Sequence, residues 1–186
     1  MVIKLMRIAL LVIAAIAIWG YFATRKANKA VDAANALADE GNAALQGVGD
    51  LVKELFGDEI ANSFPKDRAK YEKSAELLRT KLATAAEKFR AAAAKFDEAI
   101  KTDSSKIFSE YLALKAKSFV KMADSKDAFQ KAAVLVLDKS IETAAQFREK
   151  RDALVAEANK LDDESTAFAT QADKIHDEHK SEFESK

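Results

Sequence analysis

Hydrophobic and polar residues follow three different patterns along this chain, and each pattern predicts a different element. The first is a run from Ile8 to Ala23 that contains no charge and is preceded by Lys4 and Arg7. With Leu5 included, a helix rising about 1.5 Å per residue approaches the roughly 30 Å of a bilayer's hydrocarbon core. Residues 1–24 are therefore predicted to form a transmembrane anchor.

A cleaved secretory signal is the alternative for this segment, because a basic start and a short apolar run are common to both. Cutting after Ala17 would leave aromatic residues exposed at the new N-terminus, whereas aromatic residues are typical of a membrane interface. We therefore favour an uncleaved signal anchor. The residues predicted at the membrane interface are Arg7, Trp19, Tyr21, Arg25 and Lys26.

The second pattern, over residues 25–65, predicts a juxtamembrane helix followed by a linker that contains glycine. Small residues such as Ala30 and Ala34 recur on one helical face, and Gly41 marks the place where this helix is expected to fray. The Gly47-Val48-Gly49 sequence then predicts a break. A short helix is expected from Asp50, as its N-cap, to Phe64, and Pro65 closes the linker.

The third pattern, over residues 66–186, is a heptad repeat that no glycine or proline interrupts after Pro65. A first long helix is expected over about 66–102, with Asp103-Ser104-Ser105 supplying caps for the next helix. Beyond it, a turn near Asp138-Lys139-Ser140 would give an antiparallel bundle, whereas no turn would give one projecting rod. We favour the bundle, because it gives helices of similar length. The seam expected after the turn runs through Ala144, Phe147, Leu154, Ala158, Leu161, Phe168, Ala172 and Ile175.

The predicted fold is therefore all-α, with a single N-terminal transmembrane helix followed by an antiparallel, coiled-coil-like bundle of about three long helices. Composition agrees, since there are only five glycines and one proline in 186 residues. Basic and acidic residues both number 30, so the chain lacks the basic excess expected of a nucleic-acid-binding protein. The absence of cysteine excludes disulfides, thiol nucleophiles and iron–sulfur clusters.

Three nonapeptides recur about 40 residues apart: KLATAAEKF, KMADSKDAF and KLDDESTAF. The last two resemble pieces of tetratricopeptide repeats, a resemblance that would imply paired helices and a peptide-binding groove. The turn glycine of that pattern is replaced by Ala123 and Asp162, and the spacing exceeds 34 residues. Heptad helices match themselves at such shifts, so we do not assign the chain to this family.

Candidate chemistry is sparse. His176 and His179 lie three residues apart and would share one helical face, where with Asp173 or Glu182 they are weak candidates for a metal site. The acidic run from Asp162 to Glu164 is expected to be a solvated surface. We find no catalytic or cofactor motif, so the chain is predicted not to be an enzyme and no cofactor is expected.

The sequence thus predicts a single-pass membrane protein whose body lies outside the cytoplasm, which means the periplasmic side of the inner membrane in a bacterium. Its expected role is that of a non-catalytic structural or interaction subunit of a membrane complex. The expected partners are the lipid bilayer and other membrane proteins, with homo-oligomers possible. A tetratricopeptide-like adaptor and an envelope-spanning coiled-coil spacer remain as alternatives.

Overall fold

The structure, a computed structural model, describes residues 25–102 and 105–184, which form seven helices. Three of them are long: α4 (Arg68–Ile100), α5 (Lys106–Val134) and α6 (Ala144–Glu178). The shorter ones are α1 (Arg25–Ala44), α2 (Val48–Phe56), α3 (Asp58–Ser63) and α7 (Lys180–Glu184). The described residues contain no strand, so the all-α prediction is confirmed for this part of the chain.

The long helices pack as an antiparallel bundle, as predicted. α1 lies along α4, α4 along α5, and α5 along α6, so α5 is covered on two sides. The direction of packing follows from the contacts: Lys115 reaches Asp173 at one end of α5, and Lys126 reaches Asp162 further along. The turn predicted near Asp138 exists between α5 and α6, so within one folded chain the rod alternative is wrong.

Two apolar cores lie at opposite ends of the bundle. The first core joins α1 to the C-terminal half of α4, the N-terminal half of α5 and the end of α6. The second core joins α2 and α3 to the other ends of the same long helices. All the heptad positions predicted for α4 are buried, and Ala86 and Ala93 are buried beside them. The predicted positions are Tyr71, Ala75, Leu78, Leu82, Ala85, Phe89, Ala92, Phe96 and Ala99.

Small residues allow α1 and α4 to approach closely. The alanine face of α1 packs in the first core against the alanines of α4, so both alanine-rich faces are used within the chain. A Cβ atom built on Gly41 would lie 2.6 Å from Cε1 of Phe89, a ring with no exposed surface. The prediction that Gly41 frays the helix is therefore wrong: it lies inside α1, where the crossing leaves no room for a side chain.

The linker between α1 and α4 folds into two short helices instead of one. Gly47 adopts a left-handed φ of 73° and precedes α2, so Asp50 lies within the first turn and is not the N-cap that was predicted. α2 ends at Gly57, and α3 follows at once. Ile60 and Phe64 are buried in the second core, and these short helices therefore cover the end of the bundle that contains the α5–α6 turn.

The long helices that follow begin with side-chain caps. The Ser105 hydroxyl accepts a hydrogen bond from the Phe108 amide, as the sequence predicted for this position. α6 begins with a capping box, in which Thr143 and Gln146 each accept a hydrogen bond from the other's backbone amide. Such reciprocal caps satisfy amides that the first turn leaves without a helical acceptor.

None of the helices within residues 25–102 and 105–184 combines the length and the apolarity that crossing a bilayer requires. The predicted anchor, residues 1–24, lies outside this described part, as do Arg7, Trp19 and Tyr21. The anchor therefore stays a prediction from the sequence. Arg25 and Lys26 form the start of α1.

Candidate functional site

The interface between α5 and α6 is where this molecule departs furthest from a simple heptad bundle. Of the residues expected to form the seam of α6, Phe147, Ala158 and Ala172 are buried, whereas Leu154, Leu161 and Phe168 are only partly buried. Val155 and Asp162, which directly follow Leu154 and Leu161, are buried in their place. Three of the buried side chains are polar. The buried residues of α6 are Phe147, Arg151, Val155, Ala158, Asp162, Ser165 and Ala172. We call the polar contacts between α5 and α6 the polar seam; its central members are Ser118, Lys126, Asp162 and Ser165.

Lys126 and Asp162 form a buried ion pair in the polar seam. The Lys126 ammonium lies 2.9 Å from Oδ1 and 3.3 Å from Oδ2 of Asp162. The two side chains are 2% and 9% exposed. The ammonium also lies 3.5 Å from the Ser125 hydroxyl and 5.8 Å from the centre of the Phe129 ring. Every short contact of the cation is therefore made inside the protein.

Ser118 and Ser165 form a reciprocal hydrogen-bonded pair, closer to the N-terminus of α5 than Lys126. The Ser118 hydroxyl donates to the carbonyl oxygen of Ser165, and the Ser165 hydroxyl donates to that of Ser118, both at 2.9 Å. The two hydroxyl oxygens are 3.0 Å apart. Two helix backbones can approach this closely only where the side chains between them are small, so this layer fixes the spacing of α5 and α6.

Two further ion pairs join α5 to α6, one beyond the serine pair and one between the serine pair and the buried ion pair. Lys115 is mostly buried and lies 2.8 Å from Asp173, whose side chain is largely exposed. Lys121 lies 2.8 Å from Glu164 nearer the solvent. The hydrogen bond from Lys121 lowers the pKa of Glu164, and the same bond raises the pKa of Lys121. In each of these three ion pairs, a lysine on α5 therefore contacts an acidic residue on α6.

This geometry explains why the sequence reading missed the seam. Asp162 belongs to a run of three acidic residues that was predicted to be solvated, and that prediction is wrong for Asp162. A signal was present, because Lys126 lies between Met122 and Phe129, and Asp162 between Ala158 and Ser165, at intervals of three or four. Chemically, the arrangement sets the register of two helices, since an enclosed and fully paired ammonium is not presented to a substrate.

The two histidines lie at the C-terminal end of α6. The His176 ring packs edge-on against Phe183 of α7, with centroids 4.9 Å apart, and its Nδ1 lies 3.4 Å from Asp177. His179 is the residue that caps the end of α6. Asp173, named as a companion ligand, is engaged by Lys115. Within the described residues no group of three potential ligands gathers, so the metal-site prediction gains no support here.

An aromatic cluster surrounds His176 and holds α7 against the bundle. Phe183 contacts Phe108, Tyr111 and His176, and it is 4% exposed. Burial, followed by the charge of Asp173, raises the pKa of the Tyr111 phenol well above its usual value. Tyr111 is therefore neutral at any physiological pH, and this cluster serves as packing for the end of the first core.

A groove of about 520 Å³ opens between the α2–α3 break and α6. The Arg151 guanidinium lies at its base, where Nη1 donates to the Phe56 carbonyl oxygen at 3.3 Å and Nε donates to Asp152 at 2.9 Å. The guanidinium thus binds the C-terminal end of α2, where free carbonyls accumulate. The full lining is Phe56, Gly57, Asp58, Arg151, Asp152, Val155, Ala156 and Asn159.

The recurring nonapeptides lie inside α4, α5 and α6 instead of at turns between helices. Asp124-Ser125 and Asp162-Asp163 are therefore interior helical residues, and the turns that the tetratricopeptide resemblance would require do not occur at these positions. Comparison of the chain with protein-family models, with curated proteins and with solved structures finds no match.

Proposed function

We propose that this protein is a non-catalytic interaction subunit of a membrane complex, tethered by residues 1–24 and presenting its helical bundle outside the cytoplasm. The observation that carries this proposal is the uncharged run from Ile8 to Ala23, which leads directly into α1 at Arg25. A run of this kind, flanked by basic residues on both sides, is typical of a membrane anchor.

The surface of the bundle supports a role in binding other proteins. Leu77 and Val120 are large apolar side chains that are 48% and 41% exposed. Along α6, Leu154, Leu161 and Phe168 recur every seven residues and are only partly buried. Such a spacing is the one by which a helix contacts a second helix. These apolar side chains on the long helices are the positions at which we propose that a partner binds.

The anchor is tested by extracting native membranes with alkaline carbonate. We expect the full chain to stay in the membrane pellet, and a variant carrying Ile13→Lys and Ile16→Lys to move to the soluble fraction. Ala14→Leu, which keeps the run apolar, is the matched control and should remain in the pellet. Release of the unchanged chain by carbonate would overturn the tether.

The side of the membrane is tested by labelling. Because the chain has no cysteine, a single Glu149→Cys change on the exposed face of α6 gives one reactive thiol. A membrane-impermeant maleimide should label this thiol in intact cells if the bundle lies outside the cytoplasm. Labelling only after lysis would place the bundle inside.

The interaction role is tested by affinity isolation from native membranes through a C-terminal tag. We expect other membrane proteins to co-purify in mild detergent, and Leu77→Ser with Val120→Ser to reduce their recovery. Thr80→Ser, a change at another exposed position on α4, serves as the control. Recovery of the chain alone as a monodisperse species would contradict the proposal.

A further inference from the structure

We infer that this chain can form a domain-swapped dimer in which α5, the α5–α6 turn and α6 become one continuous helix. In this dimer α6 of each copy would pack on α5 of a second copy of the chain. The interaction surface is the α5 face that α6 covers in the monomer, and the partner is the same α6 in trans. The inference does not depend on the membrane anchor or on the proposed function.

The first argument is that the turn contains no residue that breaks a helix. Residues 135–143 include neither glycine nor proline, and both are absent from the whole chain after Pro65. Helices that must end usually do so at such residues. The break between α5 and α6 therefore depends on side-chain contacts and not on a residue that is incompatible with helix.

Three sets of contacts hold the turn, two of them local and one with α4. The Asp138 carboxylate accepts hydrogen bonds from the amide and the hydroxyl of Ser140, at 2.9 and 2.7 Å. Arg68 of α4 donates to the Ile141 carbonyl oxygen at 2.6 Å. Thr143 and Gln146 form the capping box. A few polar contacts thus stabilise the turn, although no residue in it is incompatible with helix.

The second argument is that the buried faces of α5 and α6 stay in phase through the turn. A spacing of three or four residues connects the buried Phe129, Ala133 and Val136 to Ala144 and Phe147 through Ser140, which is exposed in the monomer. Intervals of three and four keep residues on one side of a helix. If the turn became helical, the α5 and α6 faces would therefore form one stripe along one side of a rod.

The third argument concerns the partners along that stripe. In an antiparallel pair of identical helices, residues equidistant from the central two-fold axis face each other. The midpoints of the pairs Lys126–Asp162, Ser118–Ser165 and Lys115–Asp173 all fall within the turn or at Ala144. Two rods crossing at the turn would therefore reproduce each pair between copies, with the same partners.

The exchange keeps the contacts between α4 and α5 but moves those of the α2–α3 segment with α6, such as Phe64 with Phe147 and the Phe56 carbonyl oxygen with Arg151, to α6 of the second copy. α4 packs on a side of α5 different from that of α6, since it contacts Phe119 while α6 contacts Ser118. Each α1–α4 unit could therefore remain on its own α5 while α6 is exchanged. The rod over residues 106–178 would be about 110 Å long. The two α1 N-termini would then lie near its opposite ends.

The test uses the polar seam as a reporter. The full-length chain carrying Ser118→Cys and Ser165→Cys has its only two thiols where hydroxyl oxygens are 3.0 Å apart. Oxidation in detergent should give an internal disulfide in the monomer and a covalent dimer in the exchanged form. We expect the dimer band to rise with protein concentration and to increase further after refolding at high concentration.

Hinge variants decide whether that dimer arises by the proposed route. Lys139→Pro leaves the hydrogen bonds described for the turn in place but forbids a continuous helix, so it should abolish the covalent dimer. Lys139→Ala is the matched control and should retain it. Asp138→Ala, Ser140→Ala and Thr143→Ala together remove the carboxylate and hydroxyl contacts of the turn and should raise the dimer fraction about tenfold or more.

The results that would overturn the inference are equally definite. These are an internal disulfide alone at every concentration, or a dimer fraction that Lys139→Pro leaves unchanged. Ser118→Cys alone should give no dimer, because the two thiols introduced at position 118 would lie far apart along the rod; an equal yield would indicate random collision. Mixing isotopically labelled and unlabelled chains before refolding must give peptides that link position 118 of one copy to position 165 of the other.

Discussion

The two interfaces of α5 differ in their chemistry. Towards α4, it packs apolar side chains such as Phe119 against Phe89 and Phe96, with ring centroids 5.9 and 5.7 Å apart. Towards α6, the middle of the interface consists of two serines and an ion pair. The apolar interface supplies most of the stability, while the polar seam makes one register far better than its neighbours. A helix shifted by one turn would leave a buried charge without a partner.

The largest expected effect is on the polar seam. Asp162→Ala leaves the Lys126 ammonium buried and unpaired, so we expect it to lower the free energy of unfolding by about 3–5 kcal/mol. Asp162→Leu combined with Lys126→Met removes both charges and should restore most of that loss. Urea unfolding of the full chain in mild detergent measures both. A double variant as unstable as Asp162→Ala would show that the pair itself stabilises the fold.

A change at the α1–α4 crossing tests the apolar side of the comparison. Gly41→Ala adds a methyl group 2.6 Å from a buried ring atom of Phe89. Although alanine favours helix by about 1 kcal/mol over glycine, we expect overpacking to give a net loss of about 1–3 kcal/mol. Gly49→Ala, at a site with open space for a Cβ atom, is the control. Stabilisation by Gly41→Ala would show that α1 is loosely packed.

These two sites also show how far sequence reasoning reaches. The heptad pattern predicted α4 and its buried positions, because apolar periodicity reports directly which face is covered. It misassigned Gly41 and Asp162, because both are explained only by what a neighbouring helix places beside them. From the sequence alone, a glycine required by close packing cannot be distinguished from one that weakens a helix. In the same way, a buried and paired carboxylate cannot be distinguished from a solvated one.

The turn between α5 and α6 could be located but not explained from the sequence. Matched helix lengths placed it near Asp138, and the structure has it there. The contact from Arg68 to the Ile141 carbonyl oxygen joins residues 73 positions apart, so no local pattern could indicate it. The buried positions of α4 and the antiparallel bundle were thus predictable, whereas the pairs that select among registers were not.

A smaller effect is expected in the serine layer. Ser165→Ala removes one hydroxyl and leaves the Ser118 carbonyl oxygen buried with one donor fewer, so we expect a loss of about 1 kcal/mol. Changing both serines to alanine should cost little more than the single change, because the two helices can then pack methyl groups. Urea unfolding should therefore show strong non-additivity. Additive losses would mean that the two hydroxyl bonds act independently.

The smallest effect is a dependence on pH that belongs to the rims of the interfaces. Hydrogen bonds from Lys121 and from the Ser140 hydroxyl lower the pKa values of Glu164 and Asp138 below their ordinary 4.5 and 3.8. A lowered carboxyl pKa gives stability that is present above the ordinary value and is lost as the pH falls through the folded-state value. The raised pKa of Lys121 gives stability that is lost only above its ordinary 10.5.

We therefore expect the free energy of unfolding to be level between about pH 5 and 10 and to fall in acid below the ordinary carboxyl values. Glu164→Gln should make the fall in the free energy of unfolding at low pH slightly less steep. Glu157→Gln is the control, because Glu157 is exposed and has no ion-pair partner within residues 25–102 and 105–184. An acid limb that begins well above pH 5 would contradict this account. It would instead indicate a titrating group inside the fold.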